Sequence, residues 1–205
     1  MKTGPRYKIA RRLGSQVFEK TQSQKFMLRE QQKFAKKGNG RRRGPLSNYG
    51  IQLIEKQKVR FTYGLTEKQF SNYLKSIIRS KTENQAQALF ENLEKRLDNV
   101  IKRAGFATTR RAARQMVSHG HILVNGRKMT IPSYQISDKD LISIREGSKN
   151  KALFNDLNEN IKNASIPQWL SIDMTKREIK KKGNPTYVSH ENHFDLPAVI
   201  QFYKR

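Results

Sequence analysis

The chain has 205 residues, with 42 Lys and Arg against 17 Asp and Glu, a formal net charge of +25 and no cysteine. That length leaves room for one or two domains around a buried core. The missing thiols exclude disulfides, thiol catalysis and cysteine-bound zinc. No run of eighteen apolar residues is present to span a bilayer. An excess of cations this large opposes compaction unless a polyanion neutralises it. Nucleic acid is the first candidate for that polyanion and an anionic membrane surface the second.

The charge is uneven. Residues 1–44 hold fourteen cations and two acids, which reads as a basic extended arm ordered only by a polyanion. An Arg-rich, acid-poor transit peptide is the competing reading of such a segment. The arm contains Arg6, Lys8, Arg11 and Arg12 and ends in "KKGNGRRRGP". Gly38, Gly40 and Gly44 break helix there and Pro45 disfavours it at Gly44. Arg41, Arg42 and Arg43 therefore sit on a loop, and three adjacent guanidinium groups suit RNA.

Ser47 caps a helix running to about Tyr63, which Gly64 can end. Thr66 with Gln69 makes a capping box for the next helix. Phe70, Tyr73, Leu74, Ile77 and Ile78 form its apolar stripe. The two helices make a hairpin or corner, with Lys56, Lys58, Arg60, Lys68, Lys75 and Arg79 around its surface. A third helix is predicted from about Asn84 to Arg103, burying Phe90, Leu93, Leu97, Val100, Ile101 and Ala104. Asp98 is the one acid between Arg96 and Met129; it can pair with Lys102 at i,i+4 or orient a backbone turn.

Thr108 or Thr109 then caps a short helix to His119, stopped by Gly120. Arg110 and Arg114 share one face of it with Arg111 beside them, and like charges at that spacing repel by a few tenths of a kcal/mol. An anion at that face would account for the arrangement. Asn125-Gly126 is a strong hairpin signal, since a type I′ turn needs positive φ at both positions. Arg127 and Lys128 leave that turn. Further short strands are expected near Gln135–Ile136 and Leu141–Ile144. Beyond residue 148, residues 151–163 suit a helix, "IPQWLSID" a strand, and "LPAVIQFYKR" a docking stretch.

No catalytic constellation is present. His119 and His121, and His190 and His193, lack the spacing of a metal pair, and no Gly-rich phosphate loop occurs. No catalytic residue, metal or cofactor is assigned.

The run "RLDNVIKRAGFATTRRAARQMVSHGHILVNGRKMTIPSYQI" resembles the RNA-binding module named after small-subunit ribosomal protein number four. "GPRYKIARRLG", "LSNYGIQLIEKQKVRFTYGLTEKQFSNYL", "PQWLSID" and "VIQFYKR" resemble that ribosomal protein family itself. The resemblance covers most of residues 1–150 and thins beyond. It speaks against the transit peptide, because family-like sequence begins at residue 4. It implies an α+β fold: a basic extended N-terminal arm (1–44), a helical domain (45–93) completed by part of 171–205, an RNA-binding module (94–157) of two helices on a small antiparallel sheet, and a C-terminal segment (158–205).

The family's function is then implied: a non-enzymatic component of the small ribosomal subunit, bacterial and cytoplasmic or organellar. Such a protein organises a junction of RNA helices in the five-prime domain during assembly. It lies where messenger RNA enters and contributes to translational accuracy. Small-subunit ribosomal RNA, messenger RNA and the neighbouring protein number five are the implied partners, with no membrane and no homo-oligomer. By resemblance Arg110, Arg111, Arg114, His119, Arg127 and Lys128 face RNA, and Arg41 to Arg43 lie near the messenger. Many members carry a cysteine zinc knuckle in the first forty residues. None is possible here, which implies a metal-free arm. An RNA-modifying enzyme carrying the module would need a catalytic domain that the two short flanking segments are too small to supply. A free-standing translational regulator or RNA chaperone would use the same module.

Overall fold

The computed structural model describes residues 4–36, 46–80 and 82–204. Arg41, Arg42 and Arg43 lie outside these. The chain divides into two compact units, residues 1–86 with 188–205, and residues 87–187.

The first unit is helical. The expected extended arm is corrected by two helices, α1 (Arg6–Leu13) and α2 (Gln24–Lys36). Ala10, Leu13 and Phe18 are buried, and Phe18 packs against Phe61 with ring centroids 5.8 Å apart. Arg11 Nε donates to Glu30 at 2.7 Å, which ties α1 to α2. The sparse apolar residues are thus spaced to bury one face, and one of the arm's two acids is used in cis. Gly14, at φ 61°, ends α1 by returning its N–H to Ala10 and Arg11.

α3 (Asn48–Thr62) starts as expected, with Ser47 Oγ accepting from Gly50 N–H at 3.2 Å. α4 (Glu67–Arg79) starts with the reciprocal bonds of the Thr66–Gln69 capping box. Phe70, Leu74 and Ile77 are buried along its stripe. The unit is completed by the chain's last helix, whose Leu196, Val199 and Ile200 are buried. The backbone N–H of Asp195 donates to the Glu55 carboxylate at 2.9 Å at its start.

The second unit is α+β. The predicted single helix from Asn84 to Arg103 is two helices, α5 (Gln85–Glu94) and α6 (Leu97–Arg103). Between them Arg96 is extended and bridges Gln135. Leu97 N–H donates to Tyr134 O at 2.9 Å and Ile136 N–H to Lys95 O at 2.9 Å. Those bonds take the place of helical ones at the break. After α7 (Arg110–Ser118) come β1 (Ile122–Val124), β2 (Arg127–Lys128) and β3 (Leu141–Ile144). α8 (Leu157–Asn163), β4 (Leu170–Asp173) and β5 (Glu178–Lys181) follow. The helix just described in the first unit is α9 (Leu196–Lys204).

The sheet is antiparallel with order β2-β1-β3-β5-β4. Ile122 opposes Ile144, Val124 opposes Ile142, and Ile142 opposes Ile179. Their alternation puts one apolar face against Val100, Ile101, Ala113, Met116 and Val117 of α6 and α7, and Leu157 and Ile161 of α8. The segment 158–205 is therefore divided. Its first thirty residues extend the module's small antiparallel sheet to five strands, and α9 joins the helical unit. Gly105, at φ 77°, ends α6 where a Cβ would lie 2.8 Å from Ala164 Cβ and 2.9 Å from Asn160 O. Only glycine satisfies both demands.

Candidate nucleic-acid interface

The interface is built around α7. Thr109 caps it, Oγ1 accepting from Ala112 N–H at 3.0 Å. Ala113, Met116 and Val117 sink one side of the helix into the core. That fixes which residues face outward: Arg111, Gln115, Ser118 and His119 are exposed.

The other two arginines of α7 lie between these sides, and α6 holds both. Arg114 Nε and Nη2 donate to Asp98 Oδ2 at 2.9 and 2.7 Å. The same carboxylate accepts from Arg96 Nε and Nη2 at 3.0 and 2.9 Å. Asp98 and Arg96 are only 2% and 3% exposed, so this is a buried ion pair with a half-buried third member. Arg110 Nε donates to Asn99 Oδ1 at 2.7 Å. Asn99 in turn donates to Glu94 at 2.9 Å, and Arg103 donates twice to Glu94, each at 2.9 Å. Asp98, expected to pair with Lys102 or to orient a backbone turn, takes two arginines instead of acting through its own helix alone. The helix break turns Asp98 toward α7, and Arg96 and Arg114 occupy its oxygens.

Two carboxylates and one amide therefore fix a layer of guanidinium groups. A bidentate arginine contact sets the plane of the group as well as its position. The repulsion between Arg110 and Arg114 is relieved inside the fold, one on Asn99 and one on Asp98. Sequence reasoning missed this layer. The signal for it was the lone acid in a run of cations, since a buried Asp must find a charged partner.

The hairpin carries the next cations. Asn125 and Gly126 have φ of 52° and 76°, as the turn requires. Asn125 Nδ2 donates to Asp140 at 2.8 Å, and its own Oδ1 accepts from Leu141 N–H at 2.9 Å. Ser137 N–H and Tyr134 O–H also donate to Asp140. Burial works to raise the Asp140 pKa, but these hydrogen bonds outweigh it and hold the carboxyl below its ordinary value. The turn is thus anchored to β3, and Arg127 and Lys128 are exposed on β2. The Lys128 stem crosses Gly120 at the end of α7, where a Cβ would meet Lys128 Cε. Lys128 therefore lies at the same helix end as His119.

The remaining sequence candidates belong to the helical unit. Arg6 is half-buried, and Lys8, Arg11 and Arg12 are exposed on α1. Arg11 carries the ion pair to Glu30. The surface placement expected for Lys56 is corrected. It is buried, with its ammonium 2.9 Å from Glu67 and 4.6 Å from the Phe202 ring centroid. Lys58 pairs with Glu55 at 2.6 Å, and Arg60 sits 3.5 Å from Glu67 with its guanidinium over the Phe61 ring. Lys56 and Arg60 are drawn to Glu67, Lys56 also to the α9 rings, and Lys58 to Glu55 of its own helix. Among the described residues no group of three His, Cys, Asp or Glu could hold a metal.

An α+β sheet module presenting ordered arginines, in a chain that also carries a helical unit, defines an RNA-binding protein class. Residues 95–142 match the S4 domain and residues 1–97 the Ribosomal protein S4/S9 N-terminal domain. The chain is 41% identical over 207 residues to the "Small ribosomal subunit protein uS4" of Aquifex aeolicus (strain VF5), covering 98% of this chain and 97% of that one. It is 44% identical to the protein of that name from Persephonella marina (strain DSM 14350 / EX-H1), over 98% and 97% of the two chains. The protein of that name from Chromobacterium violaceum is 39% identical, over 98% of each. The chain belongs to the small ribosomal subunit protein uS4 family.

Proposed function

We propose that this protein is a non-catalytic component of the small ribosomal subunit that binds small-subunit ribosomal RNA early in assembly and holds a junction of its helices in one arrangement. The observation that carries this is the ordered guanidinium layer. Arg114 and Arg110 are fixed by Asp98 and Asn99 on a rigid core, with Arg111 exposed beside them. Folded RNA is recognised largely by shape and phosphate contacts, which a prearranged array of cations meets without reorganisation. Arg127, Lys128 and His119 extend the array to the far end of α7. Arg6, Lys8 and Arg12 offer a separate basic face on the helical unit, and Arg41 to Arg43 are proposed to lie near messenger RNA where it enters. Protein number five is the proposed neighbour.

The test is affinity for a transcript of the five-prime domain across a salt series. Log affinity should fall linearly with log salt, and Arg111→Ala should reduce the slope by roughly 0.7–0.9, one phosphate contact. An unchanged slope and affinity for Arg111→Ala would remove α7 from the interface. Arg114→Ala is a poorer probe, because it also strips Asp98 of a partner.

A further inference from the structure

The C-terminal end of α7 gathers a second set of basic groups that the α7 arginines do not explain. The His119 and His121 rings lie with centroids 6.1 Å apart, one ending the helix and the other opening the strand. The backbone N–H of Arg145 donates to His121 O at 2.9 Å, which brings the end of β3 alongside. His121 Nδ1 is 3.0 Å from Ser148 Oγ, and its ring meets the edge of Phe154. The chain segment 145–154 is thus wrapped around one imidazole, and Lys151 comes with it. Lys128 arrives from β2 across Gly120.

The charge of this cluster is one-sided. Burial and then Lys151, His119, Arg145 and Lys128 hold the His121 pKa below its ordinary value. The nearest sequence-local acid, Glu146, is engaged with Lys149 at 2.6 Å. Lys128, Arg145, Lys151 and His119 are each exposed. With Nδ1 occupied by Ser148, the ring retains Nε2 for a ligand.

We infer that His119, His121, Lys128, Arg145 and Lys151 form a second phosphate-binding patch, which takes the sugar-phosphate backbone of RNA about one helix length from the Arg111 end of α7. The spacing follows from the helix: eight residues from Arg111 to His119 rise about 12 Å. One RNA strand can then be held at both ends of α7. This rests on the RNA-binding reading above and adds Arg145, Lys151 and His121 to it. A phosphate beside His121 sets an anion among these basic groups and raises its pKa. RNA binding is therefore accompanied by proton uptake. The added affinity is full below the free-protein pKa of His121 and is lost as pH rises through the RNA-bound one.

The experiment uses the full chain and a five-prime-domain transcript, with salt series at pH 6 and pH 8. Arg145→Gln combined with Lys151→Gln should lower the salt slope by roughly 1.4–1.8, two contacts, and weaken binding by about tenfold or more at moderate salt. The parent should bind more tightly at pH 6 than at pH 8, and His121→Gln should narrow that difference. On the parent itself, NMR titration of the His121 ring should move upward when RNA is added, a reading that no variant's folding can confuse. A double variant with the parent's slope, or a His121 titration unmoved by RNA, overturns the patch. If Arg111→Ala still lowers the slope in that case, the α7 interface stands without it. If neither variant changes binding, the RNA-binding reading of this module fails as well.

Discussion

Asp98→Asn is the substitution that most directly tests how α6 and α7 are joined. It keeps the size of the side chain and removes its charge. In the parent the carboxylate accepts four N–H donors, two from Arg96 and two from Arg114. Arg96 is 3% exposed and cannot turn to water when its counter-ion is gone. An uncompensated buried charge costs about 3–5 kcal/mol. Arg114, whose side chain is 30% exposed, recovers part of its solvation, which favours the lower end, about 3–4 kcal/mol. For a unit of this size each kcal/mol moves the melting midpoint by about 4–8 °C, so the shift is roughly 12–30 °C downward. Trp169, the only tryptophan, packs against the module's core and reports on that unit by fluorescence. Arg114→Gln is the control. It leaves Asp98 paired with Arg96 and should cost only about 1–2 kcal/mol. Equal melts for Asp98→Asn and the parent would show that the buried pair contributes nothing, and the account of a locked guanidinium layer would fail.

Gly105→Ala should destabilise the module by about 2–3 kcal/mol or more, from a disfavoured φ and overpacking against α8; a loss under half that in urea unfolding would mean the Ala164 contact yields easily. Asp140 has a depressed pKa in the folded state, so its contribution is present above its unfolded pKa and lost as pH falls through the folded one. Asp140→Asn should therefore flatten the acid limb of the stability–pH curve, measured by urea midpoints from pH 6 to pH 3, while an unchanged limb would refute the assignment. Lys56→Met should shift stability by about 1 kcal/mol through the lost cation–aromatic contacts with Phe202 and Tyr203. It should leave the salt slope of RNA binding as it was; a drop of one contact would return Lys56 to the interface.

Local chemistry was readable wherever its partners lie close in sequence. The Thr66–Gln69 box, the Ser47 and Thr109 caps and the Asn125-Gly126 turn are all contained within four residues, and each forms as the pattern requires. Readings failed where distant partners decide. Leu97 takes Tyr134 O as its acceptor, and that exchange across the chain breaks a helix whose apolar period runs on unbroken. β5 pairs with β3 across more than thirty residues, a register that no local signal encodes. The same distinction holds for the interface. Arg111, Arg127 and Lys128 were identifiable as exposed cations from the local pattern, and His119 only through the resemblance. The partners of Arg114 and Lys56, sixteen and eleven residues away, came from tertiary packing. In the arm, charge density suggested an extended chain, but three buried apolar residues and one ion pair were enough for helix.

The guanidinium layer also bears on how so cationic a module stays folded before it meets RNA. Placing Arg110, Arg111 and Arg114 on two turns of one helix costs Coulomb energy that an RNA could relieve only after binding. The fold supplies a partial answer of its own: Asp98 and Glu94 are buried, Asp98 shared by Arg96 and Arg114 and Glu94 by Arg103 and Asn99. Arg111 is left as the outward charge of the three. Buried pairs of this kind are often no more stabilising than apolar residues of the same volume, so stability alone does not account for choosing them. Their distinctive property is direction, because a carboxylate held by two guanidinium groups fixes the orientation of both. Replacing Arg96 and Asp98 together by Met and Leu separates the two roles. If stability is retained while RNA affinity falls, the layer serves to aim Arg114; if both are retained, the charges are dispensable and the orientation argument is wrong.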